Sequence, residues 1–218
     1  MKLGKLLFVI KAILIALLIL SGAIAVPVLF RSFYHWHIGP MGLGQSLGLD
    51  AEQVKTAYRE MMDYCIGLSH TFSVGELGFS ESGAAHFADV RDLFLLDLRV
   101  LVVCAVLLTA LCLLRKERSH LGGHRPGFWS AVGLIGGFTL VASLAALDFD
   151  RAFQVFHNLF FPGKSNWLFD PLEDPVILLL PEAFFRNCAL LILGGILLPC
   201  AGLIGWDLYK RKKEKGVR

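Results

Sequence analysis

Apolar residues dominate four stretches of the chain, about 6–30, 93–114, 127–147 and 183–206. At 1.5 Å per residue, roughly 20 apolar residues cross about 30 Å of hydrocarbon, so each stretch is long enough to span a bilayer. Each is predicted to be helical, because hydrocarbon offers a free backbone group no partner. Between the spans the pattern changes. After the glycine-punctuated "IGPMGLGQSLG", Asp50 and Gln53 form a capping-box pair, and Val54, Tyr58, Met61, Cys65 and Leu68 recur at helical spacing. That predicts an amphipathic helix whose apolar face is either packing surface or a raft on the headgroups. "SHTFSVGELGFS" is short, polar and broken by glycine, and is read as a small hairpin. Further on, Phe149, Phe153, Phe156 and Phe160 make a stripe at i, i+4, i+7 and i+11, which predicts a helix lying in the membrane interface.

Composition agrees with this class. Hydrophobic residues make up 56% of the 218, above the roughly 45–50% of soluble domains, and mean hydropathy is +0.63. Charge then orients the spans. Residues 1–5, Lys11, the loop after the second span and the C-terminal tail hold thirteen of the 21 Lys and Arg but only three of the 18 acids. By the positive-inside rule both termini are cytoplasmic, and 31–92 and 148–182 are extracytoplasmic segments forming a small cap. Trp129 and Trp206 then fall at the inner boundary, Trp36 and Trp167 in the outer segments. The expected fold is an all-α membrane protein, a single four-transmembrane-helix bundle. The net charge of +3 is a topology signal and points to no nucleic acid. The small residues Ala23 and Ala25 also fit a cleaved signal peptide, but the apolar run continues through Phe30, so a retained anchor is the reading taken. Gly133 and Gly137 form a GxxxG read as close packing of the third helix against a neighbour.

Candidate chemistry concentrates in the two outer segments. In "GFSESGAAHFADVRDLF", Ser82 is read as the N-cap of a helix running into the second span, which puts His86 in its first turns. The helix dipole there disfavours imidazolium, leaving a form that accepts a proton. Asp89, three residues on, shares its face and is the first choice to hold the ring. From spacing alone, a structural interfacial histidine is the favoured reading of His86. His157 stands beside the phenylalanine stripe in the other segment, and the two imidazoles would meet above the bundle. Of the rest, His35 and His37 are read as part of a headgroup-level belt, His70 as surface, and His120 and His124 as part of a solvated basic linker. Four of the five cysteines fall in spans, so neither a disulfide framework nor a CxxC zinc site is readable. GxSxG, HExxH and Walker patterns are missing, which removes the usual support for serine hydrolase, zincin and ATPase readings.

"GFSESGAAHFADVRDLF" together with "FHNLFFPGKSNWLFDPLEDPVILLLPEAFF", set between four spans, resembles the bacterial integral membrane family of the lipoprotein intramolecular transacylase. The resemblance implies movement of the sn-2 acyl chain of an S-diacylglyceryl cysteine to that cysteine's own α-amine. It implies His86 and His157 as catalytic residues, one of them the general base. Asp89, Arg91, Arg151, Asp170, Asp174 and Glu182 are then orienting or oxyanion candidates, and Phe153, Phe156, Phe160 and Trp167 are substrate-contact candidates, although Trp167 is read first as an interfacial anchor. Such a protein needs no metal and no cofactor. Its partners are a diacylated lipoprotein and membrane lipid, and its place is the bacterial cell membrane with the active face outside. Two rivals remain: a metal-dependent membrane hydrolase using the same histidines, and a non-catalytic membrane scaffold.

Overall fold

The computed structural model describes residues 2–114 and 120–216. Among the described residues seven α-helices follow one another: α1 (Lys2–Leu29), α2 (Arg31–Ile38), α3 (Ala51–Cys65), α4 (Glu81–Leu114), α5 (Pro126–Leu147), α6 (Phe149–Phe160) and α7 (Glu182–Gly216). Two 3-10 turns, Gln45–Leu47 and Pro175–Leu179, interrupt the connections. The fold is that of an all-helical membrane protein: α1, α4, α5 and α7 each contain a stretch long and apolar enough to cross a bilayer. Their exposed surface agrees, since Val102, Val106, Leu140, Val141 and Leu198 are all more than half exposed. A surface of that kind is stable against lipid tails and not against water.

The chain divides into two compact units. The first takes Met1–Ile24, Leu98–Leu144 and Leu191–Arg218. Its core holds Ala23, Ala131, Ile196 and Cys200, all nearly or fully buried. Small residues let backbones approach here: a Cβ added to Gly195 would stand 3.1 Å from that of Ala23. The glycine pair singled out in α5 behaves otherwise. Gly133 and Gly137 have nothing within 4 Å of an added Cβ, so the close packing expected of them does not occur, and it is Gly195 on α7 that supplies the small-residue contact. His124 also departs from expectation. Instead of a solvated linker residue it is partly buried, stacked on Phe128 at 3.8 Å and bonded to Asp207 Oδ2 at 2.7 Å. Asp207 is itself buried and accepts the Arg125 N–H at 3.0 Å. A buried carboxylate is tolerated when its oxygens are spent in this way. A cavity of about 290 Å³ in this unit is bordered by Lys11, Arg125, Phe128 and Trp206, and by neither His86 nor His157.

The second unit takes Ala25–Asp97 and Ala145–Leu190. Its α3 begins with the expected capping box: Asp50 accepts the N–H groups of Glu52 and Gln53, and Gln53 returns a bond to the Asp50 N–H. The apolar face of α3 is packing surface, with Val54, Tyr58, Met61 and Cys65 buried; Leu68, beyond the helix end, is exposed. Tyr58 stacks on Tyr34 at 3.6 Å, and the buried Tyr34 hydroxyl donates to the Leu179 carbonyl at 2.9 Å. His37 belongs to the same unit, its ring bonded to Phe33 O and Asn187 Nδ2. The hairpin expected over 69–80 does not form, and this stretch runs as turns. Glu60 of α3 explains why. Its Oε2 accepts both the Ser73 hydroxyl and the Gly75 N–H, the second a backbone donor that a ladder would have used.

Candidate active site

Three pieces of the second unit build the candidate site: the start of α4, the end of α6, and the segment that follows it. Ser80 opens α4, two residues ahead of the expected Ser82, its Oγ accepting the Gly83 N–H at 2.9 Å. The same hydroxyl donates to Asp174 Oδ2 at 2.7 Å, while the Ser80 N–H donates to Oδ1 at 2.8 Å. Asp174 is buried, so this pairing fixes a residue 94 positions away against the helix start. Gly83 permits the approach, because a Cβ there would lie 2.2 Å from Asp174 Oδ1. One turn further along α4 stands His86.

Asp148 caps α6 by accepting the Arg151 N–H, and His157 occupies the last turn. Pro162 and Gly163 end the helix; Gly163 has φ +74°, a backbone that suits glycine. The chain then returns across the imidazoles. Trp167 stacks on His157 at 4.7 Å and 28°, and Phe169 meets the His86 ring edge-on at 5.4 Å. Phe161 contacts both rings, at 5.0 Å from His86 and 5.7 Å from His157. The histidines are 5% and 7% exposed, with ring centroids 5.9 Å apart. Seventy-one residues separate them in the chain, and the fold sets them side by side.

Their hydrogen bonding differs. His157 Nδ1 lies 2.8 Å from the Phe153 carbonyl, which can only accept, so Nδ1 carries the proton and the Nε2 lone pair is left over. Burial pushes the His157 pKa below its ordinary value near 6.5, outweighing the opposing pull of the Phe153 carbonyl. His86 Nδ1 is buried with no hydrogen-bond partner. A pair of neutral imidazoles, one with a basic nitrogen and one with an unspent polar atom, is suited to moving a proton and steadying a developing charge.

The other sequence candidates scatter. Asp89 does not hold the His86 ring; its oxygens go to Lys164, in an ion pair, and to Asn166 Nδ2 at 3.2 Å. Arg91 lies over the Tyr64 ring at 4.8 Å. Asp170 is exposed and accepts the Leu172 N–H in a turn, while Asp174 serves the α4 start. Arg151 and Glu182 are exposed, the latter beside the Asp150 carboxyl. Of the phenylalanines, Phe153 packs on His157 at 4.2 Å and on Phe185, whereas Phe156 and Phe160 are each 47% exposed. Phe161 and Phe169 border the pair, Lys164 and Asn166 hold Asp89, and none of the four was singled out by spacing. For Lys164, Asn166 and Phe169 the usable signal was the eleven-residue interval between Gly163 and Pro175, which carries Trp167 and Phe169 yet is too interrupted for a helix. Among the described residues no group of three or more His, Cys, Asp or Glu is arranged as a metal donor set.

Fold and site together define a class: an all-helical membrane protein with four spanning segments and two buried imidazoles in contact range. The family model for the lipoprotein intramolecular transacylase Lit matches residues 9–185, and the chain belongs to this family of transacylases. The solved structure of the membrane-integral transacylase Lit from Bacillus cereus has the same fold, with a TM-score of 0.85 at 23% identity over 97% of this chain and 99% of that one. Two structures of that protein, each with a single histidine mutated, one to arginine and one to alanine, superpose with a TM-score of 0.77 at 23% identity. They cover 98% and 97% of this chain and 95% and 96% of theirs. No curated protein sequence is matched.

Proposed function

We propose that this protein acts on a diacylated lipoprotein, moving the sn-2 acyl chain of the S-diacylglyceryl cysteine to the cysteine's own α-amine. The observation that carries the reading is the pairing of buried His86 and His157, with His157 Nδ1 committed to Phe153. An α-amine has a pKa near 8 and attacks an ester only in its neutral form. His157 Nε2 takes a proton from the attacking nitrogen as the N–C bond forms. When the C–O bond to the glyceryl sn-2 carbon's oxygen breaks, the same imidazolium returns that proton to the departing oxygen. No water is consumed, and an ester becomes a more stable amide.

His86 supplies the second role, an N–H donor to the oxyanion of the tetrahedral intermediate, a contribution of about 10²–10³ in rate where such donors have been removed. Attack within the substrate runs through a ring of roughly eight atoms, so holding the head group in a reactive pose supplies much of the remaining acceleration. The partly exposed Phe156 and Phe160 offer the acyl chains an apolar surface. The charge asymmetry of the sequence supports a multi-pass protein with both termini in the cytoplasm and the histidines on the extracytoplasmic side.

Mass spectrometry of a lipoprotein N-terminal peptide from cells carrying the wild type, His86→Ala or His157→Ala tests this. The expected product, N-acylated and monoacylglyceryl, forms with the wild type and falls by at least about 10²-fold with His157→Ala. Undiminished product from both variants rejects the two-imidazole mechanism.

A further inference from the structure

A second buried polar atom has no partner on the segment that crosses the histidine pair: the side-chain oxygen of Asn166, the residue before the Trp167 that stacks on His157. Its orientation follows from chemistry. Asn166 lies 3.2 Å from Asp89 Oδ2, and a carboxylate can only accept, so the amide NH₂ faces Asp89 and the carbonyl oxygen faces away from it. The position is anchored twice more. Asp89 is also paired with Lys164, and Trp167, the next residue along, stacks on His157 with its indole N–H bonded to the Lys164 carbonyl. Asp89 stands one turn beyond His86 on α4, so Asn166 bridges from the helix of one imidazole to the aromatic that covers the other. Leaving a buried carbonyl oxygen without a donor costs about 1–3 kcal/mol, so an acceptor held in this way on the segment that covers the histidines calls for a donor.

We propose that Asn166 Oδ1 receives an N–H of the substrate cysteine's α-amine and thereby determines amine recognition. This rests on the transacylase reading of the same site. A neutral primary amine has two N–H bonds. One proton goes to His157 Nε2 during attack; the other is free to donate to Asn166, which turns the nitrogen lone pair toward the ester carbonyl. The choice of an amide oxygen matters. A carboxylate in its place would hold the nitrogen as ammonium, which has no lone pair to attack with, whereas a neutral acceptor orients the amine without raising its pKa through an ion pair.

The test uses two non-transferable ligands, a dialkyl-ether analogue of the diacylglyceryl-cysteine peptide with its α-amine and the same analogue lacking it, in full-length protein in lipid nanodiscs. Dissociation constants are measured for the wild type, Asn166→Leu, Asn166→Ala and Lys164→Met. The wild type binds the amine ligand more tightly. In Asn166→Leu that preference shrinks about tenfold while affinity for the des-amino ligand is unchanged. Asn166→Ala repeats the result if the leucine variant does not fold, and Lys164→Met, which loosens the segment but keeps the acceptor, retains the preference. Equal weakening for both ligands assigns Asn166 a structural role and overturns the inference, as does an unchanged preference or a wild type that does not distinguish the ligands. Because these are binding constants, they are independent of turnover: loss of transacylation in the wild type refutes the function, and an unchanged ratio with intact transacylation refutes only the Asn166 assignment.

Discussion

Gly83→Ala is the sharpest perturbation the structure offers, because two well-known effects oppose each other there. Inside a helix, alanine is favoured over glycine by about 1 kcal/mol, so the substitution alone should stabilise α4. The new Cβ, however, would stand 2.2 Å from Asp174 Oδ1 and 2.7 Å from its Cγ, well inside contact distance. Asp174 is 4% exposed and has no solvent route of escape. Its carboxylate must withdraw from the Ser80 N–H and the Ser80 hydroxyl, two bonds to a charged acceptor worth about 1.5–3 kcal/mol each. Losing both and crediting the helix gain leaves a net cost of about 2–5 kcal/mol. For a chain of this length that lowers the melting temperature by about 5–15 °C. Thermal unfolding of the purified protein in detergent measures it. The companion variant Asp174→Ala removes the clash, and on that background Gly83→Ala should be neutral or raise the melting temperature. A higher melting temperature for Gly83→Ala in the otherwise wild-type protein refutes the proposed contact.

Two further outcomes follow from the same unit. Because burial lowers the His157 pKa, the folded protein binds fewer protons than the unfolded chain just below pH 6.5, so the stability it contributes is full above pH 6.5 and declines as pH falls through that value; melting curves between pH 7.5 and 5 should show the decline, with a shallower slope in His157→Gln. Asp50→Ala removes the acceptor of two N–H groups at the start of α3 and should cost about 1 kcal/mol, seen as a lower melting temperature with transacylation unchanged.

Much of this protein was legible along the chain. The four apolar runs, the Asp50 capping box and the breaks at Pro162-Gly163 are local signals, set by length, hydrogen-bonding type and backbone freedom within a few residues. The errors share a cause. Ser82 was read as the cap although Ser80 serves, because the deciding partner is Asp174. The hairpin over 69–80 does not form where Glu60, outside the stretch, holds the Ser73 hydroxyl and the Gly75 N–H. The α5 glycines were assigned a neighbour they do not have, since a GxxxG spacing says which face is narrow and not whether another helix lies there. His124 was placed in a solvated linker because its basic neighbours are visible in sequence while Asp207 is 83 positions away.

At the histidines the division is clearest. Sequence alone determined that two imidazoles stand near helix ends in a membrane chain, one in the first turns of α4 and one in the last turn of α6, because helix periodicity and breakers act locally. Only tertiary packing decided that the rings lie 5.9 Å apart, that Phe153 binds the His157 Nδ1 proton, and that Asp89 serves Lys164 and Asn166 rather than His86. Which donor meets which acceptor depends on distances between residues far apart in the chain, and those distances exist only once burial has fixed the elements against one another.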